Sequence, residues 1–90
     1  MTLLTDSEIQ ERLSRVPGWE RWGREIRRTW AFADFRAAMA FVNRVADLAE
    51  AAGHHPDIDV RYSKVTIVLS THDAGGLTAR DFALAESIGA

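Results

Sequence analysis

Val65-Thr66-Ile67-Val68-Leu69-Ser70-Thr71-His72 places Val65, Ile67 and Leu69 on one face of an extended chain and Thr66, Val68 and Ser70 on the other. A period of two is the signature of a strand with one face on a core. His72 joins the second face if the strand continues. With the residues from Asp57 onward the run reads as a hairpin over 57–71. Upstream, Gly53 is the left-handed residue that commonly closes a helix. Asp34 is placed to cap a helix over 35–52, in which Phe35, Met39, Val42, Ala46 and Ala49 recur at three- and four-residue steps. Phe41, Val45 and Leu48 widen that stripe.

Further out, Trp19 to Phe32 reads as a first hairpin, punctuated by Gly23. Ile26, Trp30 and Phe32 share one face, Arg27 and Thr29 the other, and Arg28 interrupts the apolar face. Thr5-Asp6-Ser7-Glu8 is a capping box for a short helix over about 6–14, and Pro17-Gly18 ends that element. Downstream, Asp73-Ala74-Gly75-Gly76 is a loop. Thr78 caps a last helix, with Leu77 and Phe82 as a hydrophobic staple and Asp81 at the third position. The order α-β-β-α-β-β-α predicts an α+β fold, a four-stranded antiparallel sheet with helices packed on one face.

The chain of 90 residues is expected to form a single domain over 1–90, since halves would be too small for a core. An apolar fraction of 47% is enough for a packed core. A net charge of −2 gives no overall pull toward nucleic acid. The basic cluster Arg21, Arg24, Arg27 and Arg28 reads as a solvated strand face. No apolar run approaches the roughly 20 residues of a membrane span, and residues 1–20 lack the apolar stretch of a signal peptide. Cysteine is absent, which suits a reducing cytoplasm and removes thiolate metal sites.

His54, His55 and His72 are the chain's three histidines, and all lie at the edges of regular elements. Histidine gives and takes protons near neutral pH. Pro56 biases His55 toward an extended backbone. Glu50 lies one helical turn before His54 and is placed to orient an imidazole. Asp81 is a second orienting candidate, or simply the other half of the Thr78 capping box. Three readings stay open on these residues alone: loop histidines that bind nothing, a zinc or iron site, and a cofactor-free acid–base site. The metal reading lacks the i, i+4 helical histidine pair of strong zinc signatures.

The spaced pattern Glu50, His54-His55-Pro56, Tyr62, His72 and Asp81, with the flanking 65–72 and 77–82 segments, resembles the pterin-4a-carbinolamine dehydratase family over roughly residues 5–90. Many members place asparagines on both sides of the tyrosine, where this chain has Arg61 and Ser63.

The resemblance implies a hydro-lyase that removes water from a 4a-hydroxytetrahydropterin, giving a quinonoid dihydropterin, with neither metal nor cofactor. It implies His54 and His72 as acid–base residues and His55 as a residue that binds and orients the pterin. Glu50 and Asp81 would orient imidazoles. Gly53, His54, His55, Pro56, Ser70, Thr71, His72 and Asp73 would contact substrate. It also implies a cytoplasmic homodimer or homotetramer supporting aromatic amino acid hydroxylation. A protein-interaction module and a role in molybdopterin metabolism are the alternatives.

Overall fold

In the computed structural model, which describes residues 2–89, the elements are α1 (Asp6–Leu13), β1 (Glu20–Trp22), β2 (Glu25–Ala31), α2 (Phe35–Ala52), β3 (Asp57–Arg61), β4 (Lys64–Leu69), a 3-10 turn (His72–Ala74) and α3 (Ala79–Ile88). The strands form one antiparallel sheet in the order β1-β2-β4-β3. This is the α+β arrangement read from the sequence.

The alternation at 64–69 does what its period dictates. Val65, Ile67 and Leu69 are buried, and Ile26 of β2 joins them through the register Ile26↔Leu69. All three helices supply the other side of this core: Ile9 from α1, Ala38, Phe41, Val45 and Ala49 from α2, and Phe82, Leu84, Ala85 and Ile88 from α3. Each fully buried aliphatic side chain contributes about 1.5–3 kcal/mol of transfer free energy. The opposite face carries Arg27, Thr29, Asp59, Arg61 and Thr66, which line an open groove of about 570 Å³.

The helix caps follow from their sequences. Thr5 and Glu8 close the predicted capping box: the Thr5 N–H donates to Glu8 Oε1 at 2.8 Å and the Glu8 N–H to Thr5 Oγ1 at 3.1 Å. Asp34 accepts from the Ala37 N–H at 2.8 Å. Gly53 ends α2 at φ 62°, where a non-glycine residue would meet its own carbonyl.

Three expectations shift. The buried stripe of α2 is Ala38, Phe41, Val45 and Ala49, whereas Phe35 is 51% exposed and Ala46 faces outward. Alanine is spread around the whole helix, so several stripes fit a 3.6-residue period, and packing on the sheet selects one. β4 stops at Leu69, so His72 does not extend the Thr66/Val68/Ser70 face. Thr71 instead bridges Gly76, and its carbonyl accepts from the N–H groups of Ala74, Gly75 and Gly76, which folds His72–Ala74 into the 3-10 turn. Arg28, on the apolar side of β2, is accommodated by stacking on Trp30 at 4.7 Å and donating to Pro17 O at 2.9 Å. Its guanidinium lies where a Cβ on Gly18 would fall, 2.7 Å away, so a side chain there would displace it, and the φ of +93° favours glycine in its own right.

Candidate active site

The left-handed turn at Gly53 brings the chain off α2 so that two neighbouring histidines diverge. The His54 N–H still donates to Ala49 O, which keeps its backbone against the helix end. Its side chain turns inward and is 8% exposed, while His55 turns out to solvent. Each imidazole meets a carboxylate. His54 Nε2 lies 2.7 Å from Asp81 Oδ1, and His55 Nε2 lies 2.5 Å from Glu50 Oε2.

The two pairs differ in setting. His55–Glu50 is an exposed pair at the end of α2, of the kind worth no more than about 1 kcal/mol. His54–Asp81 lies among buried groups. Asp81 is fully buried and accepts through Oδ2 from the Thr71 hydroxyl at 2.8 Å and the Thr78 N–H at 2.9 Å. Asp81 is therefore more than half of a capping box: Oδ2 closes the box of α3 and Oδ1 faces His54 Nε2. Glu50 serves His55 rather than His54, because the turn at Gly53 breaks the helical path that would stack His54 above Glu50.

His72 lies exposed at the start of the 3-10 turn, held in place through Thr71. One open cleft of about 230 Å³ is lined by Gly53, His54, His55, Ser70, Thr71, His72, Asp73 and Arg80. All the histidines expected from the sequence are thus brought to one site. Pro56 is half-buried and is not among the cleft residues. Tyr62, a fixed point of the motif, sits 70% exposed at φ 51° in the β3–β4 turn, at the end of the hairpin opposite the cleft. Among the described residues no cluster of three or more His, Cys, Asp or Glu is placed to hold a metal ion.

Two participants were not read from the sequence. Arg80 donates to Gly53 O at 2.6 Å, tying α3 to the turn that aims both histidines. A signal was present: a cation in the first turn of a helix opposes the helix dipole, so its placement asks for another reason. Thr78 was read only as a cap, but its hydroxyl also meets Thr71 Oγ1 at 2.8 Å.

A cleft with buried and exposed histidine–carboxylate pairs suits proton transfer to and from a small polar substrate. It is smaller than the roughly 300–1,000 Å³ of pockets that enclose whole ligands, so it fits one compact ring system with the remainder in water.

The family model described as pterin 4 alpha carbinolamine dehydratase matches residues 2–90. A protein of Roseiflexus castenholzii named as a candidate pterin-4-alpha-carbinolamine dehydratase is 63% identical over 86 residues, covering 96% of this chain and 92% of that protein. One of the same name from Acidobacterium capsulatum is 61% identical over 88 residues, covering 98% and 96%. The fold matches a crystal structure described as a transcriptional coactivator/pterin dehydratase from Brucella melitensis, with TM-score 0.92, 34% identity and coverage of 97% and 95%. It also matches a pterin dehydratase-like protein described as a RuBisCO assembly factor in the alpha-carboxysome, with TM-score 0.68, 25% identity and coverage of 80% and 86%. With a family match along nearly its whole length and relatives above 60% identity, the chain belongs to the pterin 4 alpha carbinolamine dehydratase family and is a hydro-lyase.

Proposed function

We propose that the cleft dehydrates a 4a-hydroxytetrahydropterin by histidine acid–base catalysis. The observation that carries this reading is the meeting of His54, His55 and His72 at one cleft, two of them already paired with carboxylates. In the reaction the N5 proton leaves to a base. The N5 electron pair forms the C4a–N5 double bond, and the C4a–O bond breaks. The departing hydroxide takes a proton and leaves as water. His54 is the base, since Asp81 is in place to stabilise the imidazolium that proton uptake creates. His72, open to solvent on its turn, is the acid that protonates the leaving oxygen and is recharged from water. His55, oriented by Glu50, and the segments Gly53–His55 and Ser70–Asp73 hold the pterin ring. Neither metal nor cofactor enters these steps.

The reaction would return tetrahydropterin to an aromatic amino acid hydroxylase through a reductase. The chain would act in the cytoplasm as a homodimer or homotetramer, its sheet edges β1 and β3 being open to a second copy. The test is stopped-flow dehydration of freshly generated 4a-hydroxytetrahydropterin. Acceleration over buffer supports the reading, and a rate equal to buffer overturns it.

A second reading, as a protein-interaction module, is favoured by the two solved neighbours described as a coactivator and as an assembly factor. Only the enzyme needs the histidines, so their replacement separates the two roles.

A further inference from the structure

We infer that Thr71 and Thr78 are positioning residues whose hydroxyls form a one-way proton-donor relay that holds Asp81, and that Asp81 so held sets the tautomer of His54 so that Nδ1 carries the basic lone pair. The inference deepens the reading of His54 as the base and rests on it.

The direction follows from counting protons. An ionised carboxylate only accepts, and a hydroxyl has one proton to give. Thr71 gives its proton to Asp81 Oδ2 at 2.8 Å. The 2.8 Å contact between the two threonine oxygens must then be Thr78 donating to Thr71. Thr78 Oγ1 in turn accepts from the Arg80 N–H at 3.3 Å. The chain therefore runs from the first turn of α3 through Thr78 and Thr71 to Asp81 without a choice at any link. Thr71 is 3%, Thr78 2% and Asp81 0% exposed, so bulk water does not compete along it. Hydrogen bonds in such a series polarise one another.

Asp81 Oδ2 is occupied by two donors, the Thr71 hydroxyl and the Thr78 N–H. Oδ2 thus accepts twice, and the carboxylate has Oδ1 left to accept from a further donor. The group facing Oδ1 at 2.7 Å is His54 Nε2, which must then carry the proton. In a neutral imidazole with the proton on Nε2, the lone pair is on Nδ1. Thr71 thus has two jobs at once. Its carbonyl folds the turn that carries His72, and its hydroxyl holds the carboxylate that faces His54.

The experiment is two-bond nitrogen–proton correlation NMR of the imidazole rings in the full, substrate-free chain, at a pH where the rings are neutral. No pterin is required, so a failure here is distinguishable from a failure of the dehydratase reading. The expected result is an Nε2–H tautomer for His54. An Nδ1–H tautomer in the wild type would overturn the inference by itself. Thr71→Val keeps the shape and removes the hydroxyl. Asp81 still only accepts in that variant, so the Nε2–H tautomer is expected to stay, while the loosened carboxylate lowers kcat about 10–100-fold, the scale of one hydrogen bond to a charged group. Thr71→Ser should restore kcat, which a loss of packing alone would not explain. Asp81→Asn turns a donor toward Nε2 and should populate the Nδ1–H tautomer. No Nδ1–H tautomer in folded Asp81→Asn, or a wild-type kcat in folded Thr71→Val, would refute the relay. If that variant does not fold, Thr71→Ala takes its place under the same criteria.

Discussion

Replacing Asp81 by asparagine changes one atom type at the centre of the site. The carboxylate accepts from His54 Nε2 at 2.7 Å, Thr71 Oγ1 at 2.8 Å and the Thr78 N–H at 2.9 Å. In Asp81→Asn the amide oxygen can keep the Thr71 and Thr78 donors, which leaves the NH2 facing His54. The imidazole must then accept at Nε2 and hold its proton on Nδ1, so its base is turned away from use. Hydrogen bonds to a charged group are worth about 1.5–3 kcal/mol and neutral ones about 0.5–1.5. Three such exchanges cost about 3 kcal/mol, part of which is recovered because a neutral amide is less costly to bury than a carboxylate. The net loss is about 1–3 kcal/mol, which for a domain of this size lowers Tm by about 4–8 °C per kcal/mol. The effect on kcat is much larger, about 10²–10⁴-fold, as for the equivalent swap in Ser-His-Asp triads, where the wrong tautomer alone costs about 10⁴. Urea unfolding measures the first quantity and stopped-flow dehydration the second. A folded Asp81→Asn enzyme with kcat within threefold of wild type would refute the reasoning.

Sedimentation equilibrium at micromolar concentration should give a dimer or tetramer mass, because a chain this small leaves sheet edges open; a clean monomer of 10.0 kDa would contradict it. Dialysis against a strong chelator should leave the dehydration rate unchanged, and loss of activity with release of stoichiometric zinc or iron would show that a metal takes part. The Glu8 carboxyl is held below its ordinary value of 4.5, chiefly by the Thr5 N–H, then by the Thr5 hydroxyl and the charge of Arg12. A depressed folded-state value means that the capping box stabilises α1 at neutral pH, and that this contribution is lost as pH falls below 4.5 and through the lowered value. The Tm gap between wild type and Glu8→Gln should therefore shrink between neutral and strongly acidic pH, and a gap independent of pH would count against the assignment.

Where local chemistry decides geometry, the sequence was sufficient. The alternation from Val65 to Leu69, the capping residues Thr5, Asp34 and Thr78, and Gly53 each act through their immediate neighbours, and each takes the predicted role. The buried face of α2 was legible in part: Phe41, Val45 and Ala49 belong to the stripe read from the sequence and are buried, but alanine all around the helix left it to the sheet to exclude Phe35 and Ala46 and to bury Ala38. The end of β4 was not legible either. It is set by Thr71 closing on Gly76, a contact made only once the turn has formed. At the site, the spacing of His54, His55, His72 and Asp81 pointed to the residues, but the pairing did not follow from it. Glu50 reaches His55 because the chain reverses at Gly53, and Asp81 reaches His54 across 27 residues of sequence. Arg80 and the Thr71–Thr78 contact are products of tertiary packing, with only the unfavourable dipole position of Arg80 as a hint.

The central claim is that histidines at this cleft carry the dehydration. The most direct measurement is the single-turnover rate on freshly generated 4a-hydroxytetrahydropterin for His54→Ala and His72→Ala, with circular dichroism confirming the fold. The expected result is a loss of about 10²–10⁴-fold for each variant. Wild-type rates in both folded variants would contradict the account.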